Sequence, residues 1–209
     1  MEMKEYALYL VTDRLNLTED QFLHTIEQAI LGGTSIVQLR EKTGTTKDYL
    51  DLARKTKMIT DSYDVPLIIN DRIDVALAVD AAGVHLGQDD MPCKMARKIL
   101  GPDKTIGISA TTYHEALKAQ HDGADYIGVG AIVATPTKKD AKISTHDDLM
   151  KIKAKIEIPT VAIGGIDKNN AHKIVAEYGF DSVAVVSAIM KSNNPRKASI
   201  KLLNEINRQ

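Results

Sequence analysis

A few short segments of this chain carry the residue types that handle phosphate and metal ions. Gln38-Leu39-Arg40-Glu41-Lys42 sets an amide and two cations close together. Arginine offers a planar fork of donors and lysine a flexible point charge, a combination suited to a diphosphate. Taken alone, the same segment also reads as a solvated charged loop. Asn70-Asp71-Arg72 and Asp89-Asp90 supply carboxylates. Two of these from neighbouring elements would suit one Mg²⁺, which takes a few carboxylates and completes its shell with water and phosphate oxygens. Singly, Asp71 reads as a helix N-cap and Asp89 or Asp90 as a turn residue. Metal and cations fit one pocket when a strong anion lies between them, and a diphosphate meets that requirement. Thr135-Pro136-Thr137-Lys138-Lys139 adds hydroxyl donors, a restricted backbone and, in Lys138, a cation able to close over a leaving group. Gly164-Gly165 and Ser187 suggest a second anion site built from backbone amides, because glycine lets the main chain approach an anion closely. Two glycines making an ordinary tight turn are the plainer reading.

Other chemistry finds less support. His85 falls inside a strand-like run and is expected to be a buried, hydrogen-bonded residue rather than a catalytic one. His24, His114, His121, His146 and His172 fall mostly on helical stretches or their ends, with no zinc-like spacing. Cys93 has no paired histidine motif and is not expected to be a nucleophile.

The elements that must position these residues follow from periodicity. Apolar, often β-branched runs occur at Tyr6–Val11, Ser35–Leu39, Leu67–Asn70, Gly83–Leu86, Thr105–Ser109, Tyr126–Gly130, Thr160–Ile163 and Ser182–Val186. Such runs suit strands of a parallel sheet. Amphipathic stretches separate them. Phe22, Ile26, Ala29 and Ile30 share a helical face opened by Thr18 with Gln21 and closed by Gly32-Gly33. Thr112 with Glu115 opens another helix, ended by Asp122-Gly123, and Ala171, Ile174, Val175 and Tyr178 line a third. This pattern predicts a single (β/α)₈ TIM barrel over residues 1–209, with a doubly wound open sheet as the alternative. The chemistry-bearing residues favour the barrel. They come directly after strands, and barrel loops of that kind converge on one face.

Composition sets the outer bounds. The chain has 209 residues, 44% hydrophobic, enough for one well-filled core. A formal net charge of -1 gives no field to recruit nucleic acid or an anionic membrane surface, so phosphate-binding cations must be local. One cysteine and no apolar run of spanning length lead to the expectation of a cytoplasmic protein without nucleic-acid or membrane partners. The first residues, with no basic region or apolar core, carry no expected signal peptide.

Read together and in order, several segments resemble the thiamine-phosphate synthase family. They are Leu8-Tyr9-Leu10-Val11-Thr12-Asp13, Gln38-Leu39-Arg40-Glu41-Lys42, Ile69-Asn70-Asp71-Arg72, the run from Gly83 to Pro92, Thr135-Pro136-Thr137-Lys138 and Ala162-Ile163-Gly164-Gly165-Ile166. The resemblance runs from about Leu8 to Ile189 and implies a (β/α)₈ barrel that joins two small-molecule substrates. These are 4-amino-2-methyl-5-(diphosphooxymethyl)pyrimidine and a 4-methyl-5-(2-phosphooxyethyl)thiazole, normally in carboxylated form. Thiamine phosphate, pyrophosphate and CO₂ are the implied products of a dissociative, Mg²⁺-assisted substitution. Carried over residue by residue, the segment Gln38, Leu39, Arg40, Glu41 and Lys42, with Asn70, Ser109 and Lys138, would bind the pyrimidine diphosphate. Ser109 and Lys138 would also act in catalysis. Asp71 and Asp90 would hold Mg²⁺, which selects Asp90 over Asp89. Thr135, Pro136, Thr137, Gly165, Val186 and Ser187 would hold the thiazole phosphate. A homo-oligomer is also implied. Thr111 departs from the family, which often carries histidine there, and Val133-Ala134 replaces an expected Phe-Pro. A related thiazole tautomerase on the same barrel is the nearest rival, expected to depart at Gln38 and Asp90. A non-catalytic phosphate-binding barrel is the other.

Overall fold

A computed structural model describes residues 7–134 and 142–208. The strands are β1 (Leu8–Val11), β2 (Ile36–Leu39), β3 (Leu67–Asn70), β4 (Gly83–Leu86), β5 (Thr105–Ala110), β6 (Tyr126–Val129), β7 (Thr160–Ile163) and β8 (Ser182–Val185). All neighbours pair in parallel, and β8 pairs back onto β1, so the sheet closes as a barrel in chain order. The closed barrel is the expected architecture, and the alternative of an open sheet is thereby excluded. Between and after the strands run α1 (Glu19–Leu31), α2 (Thr46–Ser62), α3 (Ile73–Ala78), α4 (Cys93–Leu100), α5 (Tyr113–His121), α6 (His146–Lys155), α7 (Ala171–Tyr178), α8 (Ser187–Met190) and α9 (Pro195–Ile206). Strand positions agree with the sequence reading within one or two residues at each end. Among the described residues, no helix is long and apolar enough to cross a membrane.

Local signals fix the helix starts. Thr18 accepts from the Gln21 backbone while the Gln21 side chain accepts from the Thr18 N–H, a complete capping box. Thr112 and Glu115 repeat it, and so do Thr45 and Asp48. Each cap satisfies amides that a helix leaves without internal acceptors, worth about 1 kcal/mol. Phe22, Ile26, Ala29 and Ile30 are buried as their spacing requires.

The two-residue period of each strand separates two cores. Leu8, Leu10, Val37, Leu39, Val84 and Leu86 join the main cluster under the helices. Tyr9, Val11, Ile36, Ile68, Tyr126, Val161 and Ala184 form a smaller cluster inside the barrel. That parity decides where the chemistry goes. Gln38, Asn70, His85 and Ser109 share the inward parity and sit in the upper half of β2 to β5. Gln38 pairs in register with Val11 and Ile68, Asn70 with His85, and Ser109 with Gly128.

Candidate active site at the carboxyl ends of the strands

The first half of the mouth is built from charged and amide side chains. At the end of β2, Gln38 is buried and donates from Nε2 to the Tyr9 hydroxyl at 2.9 Å. The backbone then turns outward under two restraints from β1. The Thr12 N–H donates to Gln38 O at 2.9 Å, and the Arg40 N–H donates to Thr12 Oγ1 at 3.0 Å. The Leu39 side chain points the other way, into the helix-facing core, which leaves only its backbone for ligand contacts. Glu41 organises its own loop by accepting from the N–H groups of Lys42 and Thr43 at 2.9 and 3.0 Å. Lys42 reaches across to form an ion pair with Asp71.

Asp71 follows β3 in a left-handed backbone conformation, φ 62°. Aspartate tolerates that region better than most residues, and such strain tends to persist where a side chain must be aimed. Its N–H donates to His85 O at 2.9 Å. The alternative role for Asp71 as a helix N-cap does not hold, because α3 is preceded by Arg72 and has no side-chain cap. Asp90 sits in the turn after β4, where Oδ2 accepts the Gly87 N–H at 2.7 Å. The turn reading and the ligand reading of Asp90 are therefore compatible. Its carboxyl is pushed above the usual range by burial and then by the adjacent Asp71 carboxylate. Asp89 is exposed.

Those two carboxylates fit a divalent cation. Burial and the neighbouring Asp71 carboxylate both raise the Asp90 carboxyl, and a cation between the two would favour its ionised form. Among the described residues there is no group of three or more metal-ligating side chains. A Mg²⁺ held by these two carboxylates would complete its shell with water and substrate oxygens. A cleft of about 320 Å³ adjoins Asp71 on its outer side. Ile73, Leu77, Met91 and Ile99 make it apolar, and none of the site cations lines it, so it is not a diphosphate pocket.

Ser109, half-buried near the end of β5, places Oγ 2.9 Å from His85 Nε2. Its carbonyl accepts from Gln88 Nε2 at 2.6 Å, which ties the β4 turn to β5. Thr111, the position of the family histidine, donates to Gly130 O at 3.0 Å and so serves the loop after β6.

The second half of the mouth is built from backbone. Gly164 and Gly165 both have positive φ, 99° and 67°. A Cβ on Gly165 would lie 2.7 Å from both Val133 Cβ and Val133 O, and one on Gly164 would lie 2.7 Å from Ala131 Cα. The expectation that these glycines make room for an anion thus needs an addition. Their missing side chains admit the segment that leads toward Thr135. Val133 N–H donates to Gly164 O at 3.0 Å, closing that contact. Val186 caps and Ser187 begins α8, placing first-turn amides at the same end of the barrel. Thr135, Pro136, Thr137 and Lys138 lie outside the described residues.

The structure brings together Gln38, Arg40, Lys42, Asn70, Asp71, Asp90 and Ser109 at one end of the barrel, with Gly165, Val186 and Ser187 across the same end. Two participants escaped the sequence reading. Tyr9, named there in a strand run and a family motif, and Tyr126, named only in a strand run, stand inside the barrel with their hydroxyls 2.8 Å apart. The signal that reveals them is parity, since they share the inward register of Gln38 and His85. His85 is half-buried, where the sequence led to the expectation of a buried residue. His85 is hydrogen-bonded within β4, and Cys93 is buried with its thiol pushed up by desolvation.

Comparison with known proteins agrees with this geometry. The sequence model of the thiamine monophosphate synthase family matches residues 8–189. A thiamine-phosphate synthase of Methanobrevibacter smithii is 52% identical over 205 residues, 98% of this chain and 97% of that one. One from Clostridium tetani is 51% identical, covering 94% and 93% of the two chains. The solved structure of a thiamine phosphate pyrophosphorylase from Pyrococcus furiosus superposes with a TM-score of 0.89 at 37% identity, covering 98% of this chain and 96% of that one. The geranylgeranylglyceryl phosphate synthase of Thermoplasma acidophilum, at 14% identity and a TM-score of 0.72, shares the fold alone. The chain belongs to the thiamine monophosphate synthase family.

Proposed function

We propose that this enzyme condenses the pyrimidine diphosphate with the carboxylated thiazole phosphate, forming thiamine phosphate and releasing pyrophosphate and CO₂. The observation that carries the reading is the Asp71–Asp90 pair set beside Lys42, at the mouth that also holds Gln38, Asn70 and Ser109. Arg40, Lys42 and Lys138 bind the diphosphate. Gln38 and Asn70 orient the pyrimidine. Ser109 donates a hydrogen bond toward the reacting end of that substrate. Asp71 and Asp90 hold Mg²⁺, which when bound neutralises charge on the diphosphate. Thr135, Thr137, Gly165, Val186 and Ser187 hold the thiazole phosphate.

The pyrimidine amino group feeds electrons into the ring as the methylene C–O bond breaks and pyrophosphate departs with the bonding pair. Fixed cations stabilise the negative charge as it develops, where their effect on rate is greatest. The thiazole nitrogen, held close by its phosphate anchor, then forms the C–N bond, and the ring carboxylate departs as CO₂, the electron pair left on the ring carbon taking up a proton from solvent. No protein nucleophile enters this sequence. The enzyme is expected to work in the cytoplasm as a homo-oligomer. The decisive assay combines purified protein, both substrates and Mg²⁺. Thiamine phosphate should accumulate with stoichiometric pyrophosphate, and an absence of product would refute the reading.

A further inference from the structure

The barrel interior holds an unbroken line of polar groups between two residues on opposite sides of the mouth. Gln38 Nε2 lies 2.9 Å from Tyr9 OH, which lies 2.8 Å from Tyr126 OH. Tyr126 OH is 2.9 Å from His85 Nδ1, and His85 Nε2 is 2.9 Å from Ser109 Oγ. The strands are shaped around this line. A Cβ on Gly107 would fall 2.0 Å from the Tyr126 ring, and one on Gly128 would fall 2.9 Å from the His85 ring. Inward-facing glycines on β5 and β6 therefore leave the space that the two rings occupy.

We propose that this line is a hydrogen-bond wire of fixed polarity, which locks His85 in the Nε2–H tautomer and leaves the Ser109 hydroxyl hydrogen for an anionic oxygen in the barrel mouth. An amide NH₂ can only donate, so the Tyr9 oxygen accepts from Gln38. Tyr9 has one hydrogen, which passes to the Tyr126 oxygen, and the Tyr126 hydrogen passes to His85 Nδ1. With Nδ1 accepting, the neutral imidazole carries its proton on Nε2 and donates it to Ser109 Oγ. Ser109 then keeps its own hydrogen for an acceptor outside the wire. Burial raises both phenols far above their ordinary range, so each retains the proton that the wire needs.

The opposite polarity fails at Tyr9. An Nδ1–H on His85 would donate to Tyr126, whose hydrogen would turn to Tyr9. The Tyr9 oxygen would then face two donors, and its own hydrogen would have no acceptor among the described residues. Tyr9 is 1% exposed, so bulk water does not relieve that loss. Tyr9, Tyr126 and His85 are thus positioning residues that act on substrate through Ser109. The assignment of the anionic oxygen to the diphosphate rests on the proposed function, whereas the tautomer does not.

Two measurements test this separately. In ¹⁵N-histidine NMR of the whole protein, His85 is identified by the signals lost in His85→Gln. It should show a pyridine-type Nδ1 and a pyrrole-type Nε2, and an Nδ1–H tautomer or an imidazolium would overturn the wire. In kinetics, Tyr126→Phe should lower kcat/KM for the pyrimidine diphosphate by roughly tenfold with the thiazole-phosphate KM unchanged. Adding Tyr126→Phe to Ser109→Ala should cause no further loss, because the wire acts through that hydroxyl. Losses that multiply would overturn the coupling. If Tyr126→Phe does not fold, Tyr9→Phe is read by the same criteria. A wild-type protein that makes no thiamine phosphate would sink the proposed function and leave the NMR result to decide the wire.

Discussion

The two sides of the barrel mouth solve similar problems with different materials. From β2 to β5 the mouth is lined by basic, acidic and amide side chains: Arg40, Lys42, Asn70, Asp71 and Asp90. Beyond β6 it presents Gly164, Gly165 and the start of α8, where main-chain amides are the proposed ligands. The difference follows from the ligands proposed for each side. A diphosphate that must leave needs strong, concentrated opposite charge at the moment of bond breaking. A monophosphate that only anchors a substrate can be held by aligned N–H groups. Conservative side-chain changes should therefore be severe on the first side and mild on the second, where changes to backbone conformation become the severe ones.

The largest effect is expected at the proposed metal pair. Asp71→Asn or Asp90→Asn removes half of the protein's ionic contribution to the cation while keeping size. Asparagine at position 90 can still accept the Gly87 N–H, so the turn after β4 should survive. Turnover should fall by orders of magnitude with an unchanged circular dichroism spectrum. Full activity in EDTA-treated protein would show that the pair has another purpose.

Next in size is Gly165→Val, the backbone counterpart. At φ 67° a branched side chain is strained, and its Cβ would press on Val133 at 2.7 Å. The strain alone costs on the order of 1–3 kcal/mol, and relieving the contact displaces the segment leading to Thr135. Steady-state kinetics should show a large rise in the KM for the thiazole phosphate and a small one for the pyrimidine. A normal thiazole KM in folded protein would place the monophosphate elsewhere.

Arg40→Ala and Lys42→Ala come third. Charge-assisted hydrogen bonds contribute roughly 1.5–3 kcal/mol, so each variant should bind the pyrimidine diphosphate about tenfold to a hundredfold more weakly. Lys42→Ala carries a second consequence, since it also frees Asp71 from its ion pair. Calorimetry with each ligand separates the cases. Equal losses for both substrates would indicate damage to the fold instead of a missing contact.

Much of this asymmetry was legible in the sequence, and the exceptions share a cause. The strands announced themselves through apolar runs, and the helices through local pairs such as Thr18 with Gln21, signals that need only a few adjacent residues. The charged side of the mouth was legible for the same reason, because Arg40, Lys42 and Asp71 follow their strands directly. Contacts between distant segments were not. Tyr9 and Tyr126 meet across 117 residues, and their hydroxyls gain meaning only once the barrel closes. The packing of Gly165 against Val133 is equally non-local, so the glycine read as space for an anion and not as space for a loop. Thr135 to Lys138 fall outside the described residues, and their roles rest on the resemblance.

The smallest effect should come from Ser187→Ala, and it tests the backbone side most directly. Ser187 is the first residue of α8, and Val186 is its cap. An anion there is met by N–H groups that every residue except proline supplies, together with the positive end of the peptide dipoles. Alanine removes only the hydroxyl. It keeps the amide and suits the start of a helix, so the geometry of the turn should persist. A neutral hydrogen bond lost at a half-exposed position contributes about 0.5–1.5 kcal/mol at most. The thiazole-phosphate KM should rise by less than about tenfold, with kcat and the pyrimidine KM unchanged. Ser187→Pro supplies the contrast, because it deletes the amide itself while the ring still fits the first position of a helix. If the backbone carries the anchor, proline should raise the thiazole KM well beyond alanine. The reverse order, with alanine the more damaging, would mean that the hydroxyl holds the phosphate and that both sides of the mouth depend on side chains after all.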